Sequence, residues 1–480
     1  MSDNLKIKHV RLQKMHGHQT CEVDLYPGLN IIYGMNGTGK TTLLHVIVNL
    51  LDLDLERFLH IIFESILVVT FSGHTVFLCQ HRSESGEVTI EVLLNDEVLG
   101  TCTKEEPCPA QITEGLKNIF GKRPVYLPAY RSMLEGAPKG KSYTNQRMGS
   151  DFSEKEYKKI IQREFELLSQ RREDPRLHYF LHRDQSELTA FKTLTCRAWF
   201  GEFVPVVRYP SIAEVHDELE NEIERARYVV AAQDQENIST VFRRVLEVIL
   251  LEKPAEVDQD VSALIDRVRA AVTDLGPGSE NVPVVYSQIA AFLKDGSYAD
   301  MGSSDKIKGI LKVYDDALST RAASKEKAYA GVDIFRTSVN RFLGKSKELV
   351  YEELGYKHAS SPLRRRNKTF VALPGGRRIG FNQLSSGERH VLTLLFAATH
   401  MSPADGLVII DEPELSLHLD WQRIILGEIC KQAQNRQIIA CTHAPEVAAE
   451  HMDAYIELTN ALLDDPRRPE DVEADLDLEE

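Results

Sequence analysis

The 480-residue chain lacks most of what would mark it for export, a membrane or a zinc site. Its seven cysteines (21, 79, 102, 108, 196, 430 and 441) are scattered, odd in number and free of any CxxC pair. That argues against a zinc site and fits reduced thiols in the cytosol. Met1–Lys6 has no apolar run of the kind a signal peptide needs. No stretch approaches the roughly 20 apolar residues of a membrane span. A soluble, cytoplasmic protein with no membrane partner is expected. No long heptad run is present, which excludes arms of several hundred residues, and there is no internal repeat. Positive charge is in the minority: 57 Lys and Arg against 72 Asp and Glu give a net charge of -15. A broadly basic, nucleic-acid-coating surface is thereby disfavoured, although a local basic groove is not. Residues 464–480 hold nine acids and two arginines, so -7 of the -15 lies in a terminal tail.

What the chain does have is material for a core. Hydrophobic residues make up 42% and aromatics 8%, which excludes global disorder. At roughly 100–200 residues per domain, the length fits two to four domains, or one domain with a large insertion. Alternating or apolar runs predict strands at 6–12, 21–25, 29–33, 66–71, 74–79, 88–94 and 124–128. A helix is expected over 41–51 and another over 153–172, with a Gly-, Ser- and Lys-rich loop at 136–151 between strands and helix. From about 211 to 354 the pattern is mostly helical. Ile212, Val215, Leu219, Ile223 and Ala226 form one stripe, and Val241, Val245 and Ile249 a second. Strands return near 356. A hairpin is expected around Pro374-Gly375-Gly376, then a helix over 383–400 and a strand over 406–410. A helix over 419–435 and strands over 437–441 and 455–458 follow.

Gly34-Met35-Asn36-Gly37-Thr38-Gly39-Lys40-Thr41 fits G-x-x-x-x-G-K-[ST] and sits between an apolar strand and a helix, the context that motif requires. Glycines let backbone N–H groups curl round a triphosphate, and the helix N-terminus adds positive potential. Asn36, Gly37, Thr38, Gly39, Lys40, Thr41 and Thr42 are therefore candidate ATP-binding residues. Lys40 would neutralise the β- and γ-phosphates, and the Thr41 hydroxyl would ligate Mg²⁺. Asp411 and Glu412 end the apolar run Leu407–Ile410 as a Walker B pair. Asp411 would hold Mg²⁺ and Glu412 would deprotonate the attacking water.

Leu384-Ser385-Ser386-Gly387-Glu388 resembles the ABC signature, with Ser386 in place of its first glycine and Glu388 in place of its glutamine. By itself the segment also reads as a serine N-cap with a nearby glutamate. Residues 415–420 (LSLHLD) resemble a D-loop, and Thr442-His443 an H-switch. These ordered motifs together resemble the ABC-type ATPases of the RecF, Rad50 and OLD group, over roughly 1–135 and 365–460. The resemblance implies an α/β fold, a P-loop ATPase head split by a mostly helical insertion. Gly34 and Ser385 lie 351 residues apart, much further than in transporter heads. The division expected is 1–150 and 356–462 for the head, 151–355 for the insertion, and 463–480 for an acidic tail.

The resemblance further implies that two heads sandwich two ATPs, Ser385 and Gly387 of one facing the nucleotide of the other. The active unit would be at least a homodimer. His443 would sense the γ-phosphate, and the catalytic set would be Glu412, His443 and Lys40. No glutamine occupies the Q-loop position beside residues 124–131, where Arg131 is a substitute candidate. The wording DEPELSLHLDWQ and THAPE is most similar to OLD-like ATPases of bacterial defence, such as Septu and PARIS subunits, which work with a separate nuclease. About 20 residues follow the last ATPase strand, too few for a TOPRIM nuclease. The expectation is an ATP-hydrolysing sensor and scaffold that answers a phage-derived trigger protein and controls an effector nuclease. A RecF-like repair ATPase clamping duplex DNA is the alternative, so DNA stays open as a partner. Arg364, Arg365, Arg366, Lys368, Arg377 and Arg378 fit nucleic-acid phosphate, an acidic partner or a solvated hairpin.

Overall fold

The computed structural model describes residues 5–84, 86–120, 124–130, 154–169, 175–250, 261–274, 305–351, 369–400 and 406–458. The predicted loop at 136–151, Arg131, the run Arg364–Arg366 with Lys368, and the acidic tail lie outside these residues. The chain divides into two units, one of residues 1–213 with 385–480 and the other of 214–384.

In the first unit, β1 (Ile7–Met15), β2 (Gln19–Asp24) and β3 (Leu29–Tyr33) lead into α1 (Lys40–Leu51). Then come β4 (Ser65–Thr70), β5 (Thr75–Arg82), β6 (Val88–Leu94), β7 (Glu97–Cys102), α2 (Ala110–Phe120) and β8 (Val125–Leu127). Two long helices close this part: α3 (Glu154–Ser169) and α4 (Pro175–Phe200). The second unit holds most of α5 (Ile212–Leu250), then α6 (Val261–Asp274), α7 (Asp305–Leu343), β9 (Glu348–Tyr351), β10 (Thr369–Ala372) and β11 (Arg378–Ile379). The chain returns to the first unit with α8 (Ser386–His400), β12 (Val408–Asp411), α9 (Leu419–Gln432), β13 (Ile438–Thr442) and β14 (Tyr455–Glu457). The fold is α/β, with a mostly helical segment inserted in sequence between the strands of one parallel sheet.

That sheet has the order β14-β3-β13-β12-β8, and every pairing in it is parallel. Its central strands are short apolar runs buried on both faces, as parallel strands must be. The other sheet, β2-β1-β4-β5-β6-β7, is antiparallel throughout. In β6 buried and half-buried residues alternate because one face meets the core. Both sheets and α1 share that core: Val10, Leu12, Ile32, Leu43, Ile47, Val68, Leu78, Ile409 and Ile439 belong to one buried cluster. Each large side chain buried there contributes about 1.5–3 kcal/mol. Gln437 joins the sheets by hydrogen bonds. Its Oε1 accepts the Ile7 N–H at 2.8 Å, and its Nε2 donates to the carbonyls of Ile7 and Tyr26.

In the second unit, β9, β10 and β11 form a small antiparallel sheet, with β10 and β11 as the expected hairpin. The stripe Val215, Leu219, Ile223 and Ala226 is buried along α5. The second predicted stripe is corrected: Val241 is buried, but Ile249 is 46% exposed. Arg321 of α7 donates to Asp234 of α5 at 2.8 Å, both side chains being buried.

Candidate nucleotide site

β13 lies between β3 and β12 in the parallel sheet. Tyr33 is level with Thr442, and Asp411 with Cys441. The segments that follow these strands therefore leave from one edge, the carboxyl end where open parallel sheets bind ligands. Residues 34–40, Asp411-Glu412 and His443 meet there although the loop lies hundreds of positions before the other two in sequence.

Backbone demands explain the glycines of the loop after β3. Gly37 and Gly39 have φ of +84° and +91°, a region open to glycine and costly for other residues. Gly39 is the N-cap of α1 and brings no side chain to that end, so the first-turn N–H groups stay available to an anion. Asn36 and Gly37 are exposed, Thr38 is half-buried, and Lys40 is buried. The Lys40 ammonium donates to the carbonyls of Gly34 at 2.6 Å and Met35 at 3.0 Å. It is thus held at the centre of the loop.

Thr41 Oγ1 donates to Asp411 Oδ2 at 2.9 Å. A hydroxyl and a carboxylate in contact beneath a phosphate loop are hard oxygen donors of the kind Mg²⁺ takes. These two residues fit the metal role expected of them. Glu412 follows at φ +53°, a left-handed conformation unusual for glutamate. Its carboxylate hydrogen-bonds His443 Nδ1. Burial pushes the Glu412 carboxyl up to about 7, with the neighbouring Glu414 adding to the rise and His443 opposing it. A carboxylate tuned near neutrality suits a general base.

Ser385 and Gly387 stand apart from this cluster. Ser385 caps α8 in a reciprocal capping box. Its N–H and Oγ donate to Glu388 Oε2 at 2.8 and 2.9 Å, and the Glu388 N–H returns a bond to Ser385 Oγ at 3.3 Å. Glu388 is thus engaged in capping, whereas Ser385 and Ser386 are exposed. Among the described residues, no hydrogen bond joins Ser385 to residues 34–42. Gly387 packs against the turn after β12, where an added Cβ would lie 2.8 Å from Ser416 O.

Three contributors escaped the sequence patterns. Gln19 Nε2 donates to the Gly37 carbonyl at 2.8 Å, and His16 lies 3.4 Å from Thr42 Oγ1, so the β1–β2 turn borders the loop. Glu414 is buried and accepts from Thr442 and from the N–H groups of His443 and Ala444. Only the repeated glutamate of DEPE hints at it. Of the basic residues, Arg378 stacks over the Phe370 ring at 4.3 Å.

The AAA ATPase domain model matches residues 5–448, nearly the whole chain and every motif described above. The chain belongs to the AAA ATPase domain family. A curated relative of this ATPase, the Retron Ec83 probable ATPase of Escherichia coli, is 38% identical over 76 residues, a match that spans 14% of each chain. Among solved structures, an Smc head domain of Pyrococcus furiosus bound to the C-terminal domain of ScpA aligns with 95% of the ATPase chain and 94% of its own, at 11% identity and a TM-score of 0.38. An Smc head domain of Pyrococcus yayanosii aligns over 94% and 95% at 12% identity and 0.33. No helix among the described residues is long and apolar enough to cross a membrane.

Proposed function

We propose that the chain binds and hydrolyses ATP as an ABC-type head and serves as the sensor and scaffold of an anti-phage system. The observation that carries the enzymatic part is the Thr41–Asp411 contact at 2.9 Å beside the Glu412–His443 pair. The triphosphate lies in the loop 36–42, with Lys40 exchanging its carbonyl partners for phosphate oxygens. Thr41 and Asp411 would hold Mg²⁺, which would supply neutralisation of the phosphate charge. Glu412 takes the proton from the attacking water, and His443 keeps that carboxylate and the water aligned. Ser385 and Gly387 of a second copy complete the site, so the working unit is at least a dimer. Residues 1–150 and 356–462 form the head, 151–355 the insertion that carries oligomer or effector contacts, and 463–480 the tail.

The defence role draws support from the DEPELSLHLDWQ and THAPE wording and from the short retron match. In this reading a phage-derived trigger changes the nucleotide state, and that change releases or restrains a separate nuclease. Glu412→Gln is expected to bind ATP normally while hydrolysis falls on the order of 100-fold or more. Lys40→Ala is expected to weaken ATP binding itself. Unchanged turnover in the first variant, or unchanged affinity in the second, refutes the site. Mass spectrometry of what copurifies with the tagged protein, with and without ATP, tests the role. Recovery of a nuclease supports it, whereas tight, salt-sensitive duplex DNA binding with no protein partner favours the repair clamp.

A further inference from the structure

The loop after β13 has to place His443 against Glu412, and within Thr442-His443-Ala444 itself the Ala444 N–H donates to Thr442 Oγ1 at 2.9 Å. The loop's fixed point comes from the segment after β12. Glu414, two residues beyond Glu412, is 5% exposed. One of its carboxylate oxygens accepts from the Thr442 hydroxyl, from the His443 N–H at 3.2 Å and from the Ala444 N–H at 3.3 Å. The same oxygen lies 3.4 Å from His443 Nδ1. Three successive residues of the histidine loop therefore hang on a single acceptor. That acceptor is tied covalently, through Pro413, to the residue that His443 must meet.

We infer that Glu414 is a positioning residue for hydrolysis: it docks the histidine loop onto the Walker B turn and so sets the approach of His443 to Glu412. The inference rests on the proposed roles of Glu412 and His443. It concerns geometry, and the requirement is for an acceptor at that point. A glutamine at 414 presents an amide oxygen to the same three donors, whereas alanine presents nothing.

Steady-state ATP hydrolysis and equilibrium ATP binding, measured on the full chain, separate the cases. Glu414→Ala is expected to lower kcat on the order of 100-fold, the loss that a roughly 1 Å misplacement brings, with ATP affinity little changed. Glu414→Gln is expected to restore kcat to within about threefold of wild type. Thr442→Val removes the hydroxyl that donates to Glu414 and accepts the Ala444 N–H, and keeps the strand's shape. It is expected to lower kcat about tenfold at unchanged affinity, and it serves should Glu414→Ala fail to fold. Full activity in Glu414→Ala or Thr442→Val overturns the inference. So does a glutamine variant as inactive as the alanine one, because charge and not an acceptor would then be what matters. Glu412→Gln in the same assay distinguishes the two levels. If it still turns over, the underlying site reading fails; if it is dead while Glu414→Ala is active, only the positioning role falls.

Discussion

At Gly387 an added Cβ would sit 2.8 Å from the carbonyl oxygen of Ser416, a backbone atom in a residue itself held at φ +63°. Neither side can yield cheaply, so α8 and the turn after β12 touch through a bare glycine. Gly387→Ala is expected to cost about 1–3 kcal/mol of stability, as overpacking does, and to shift Ser385 with the end of the helix. Thermal unfolding and ATP turnover check this: a lower midpoint and slower hydrolysis are expected. A variant as stable as wild type would show that the turn gives way freely. Residues of this kind were only half legible. Ser385 and Glu388 have the spacing of a capping box, and the structure has that box. The carbonyl that makes Gly387 necessary lies 29 residues further on. Glu414 was hidden for the same reason, since its donors are at 442–444 and no local pattern connects them.

Elements were more legible, because periodicity is a local property. The apolar run at 29–33 is β3 to the residue, and the alternation at 88–94 is β6. What escaped was marginal in pattern. β7 closes an edge of its sheet with only Cys102 buried and reads as no alternation, and α2 buries only Ile112, Leu116 and Phe120. The helix α1 carries a consequence of its burial. His45 is enclosed in it, 2.8 Å from the Tyr126 hydroxyl, and burial pushes its imidazole down to about 3. In the unfolded chain an imidazole titrates near 6.5, so below that pH the unfolded state binds the extra proton. The stability this group contributes is present above pH 6.5 and is lost as pH falls from there toward 3. By pH 5 the loss is about 2 kcal/mol. Urea unfolding at pH 7.5 and pH 5, for wild type and His45→Phe, measures it. Wild type is expected to lose about 2 kcal/mol more than the variant over that window, and equal losses would mean that His45 is not held neutral.

For the whole molecule, the question is how the first unit ties together segments drawn from distant parts of the chain. The stretch Val204–Ser211, which precedes α5, does this with two neighbouring side chains. Arg208 donates to Asp52 at 2.8 Å, just past the end of α1, and to Glu164 of α3 at 2.9 Å. Both carboxylates are 3% exposed at the side chain. Tyr209, fully buried, hydrogen-bonds Thr393 of α8. One dipeptide thus ties the far end of the phosphate-loop helix to α8, the helix that Ser385 caps. No sequence pattern announced this, because Asp52, Glu164 and Arg208 belong to segments more than 40 residues apart and each reads locally as a surface charge. A buried guanidinium between two buried carboxylates adds little net stability compared with an apolar replacement of the whole cluster, but removing the cation alone strands two charges. Arg208→Met is therefore expected to cost about 3–5 kcal/mol. Asp52→Asn and Glu164→Gln added to it are expected to recover much of that loss, a strongly non-additive triple variant. Denaturant midpoints of the single, double and triple variants decide the matter. Additive losses would mean that the three groups do not act as one cluster.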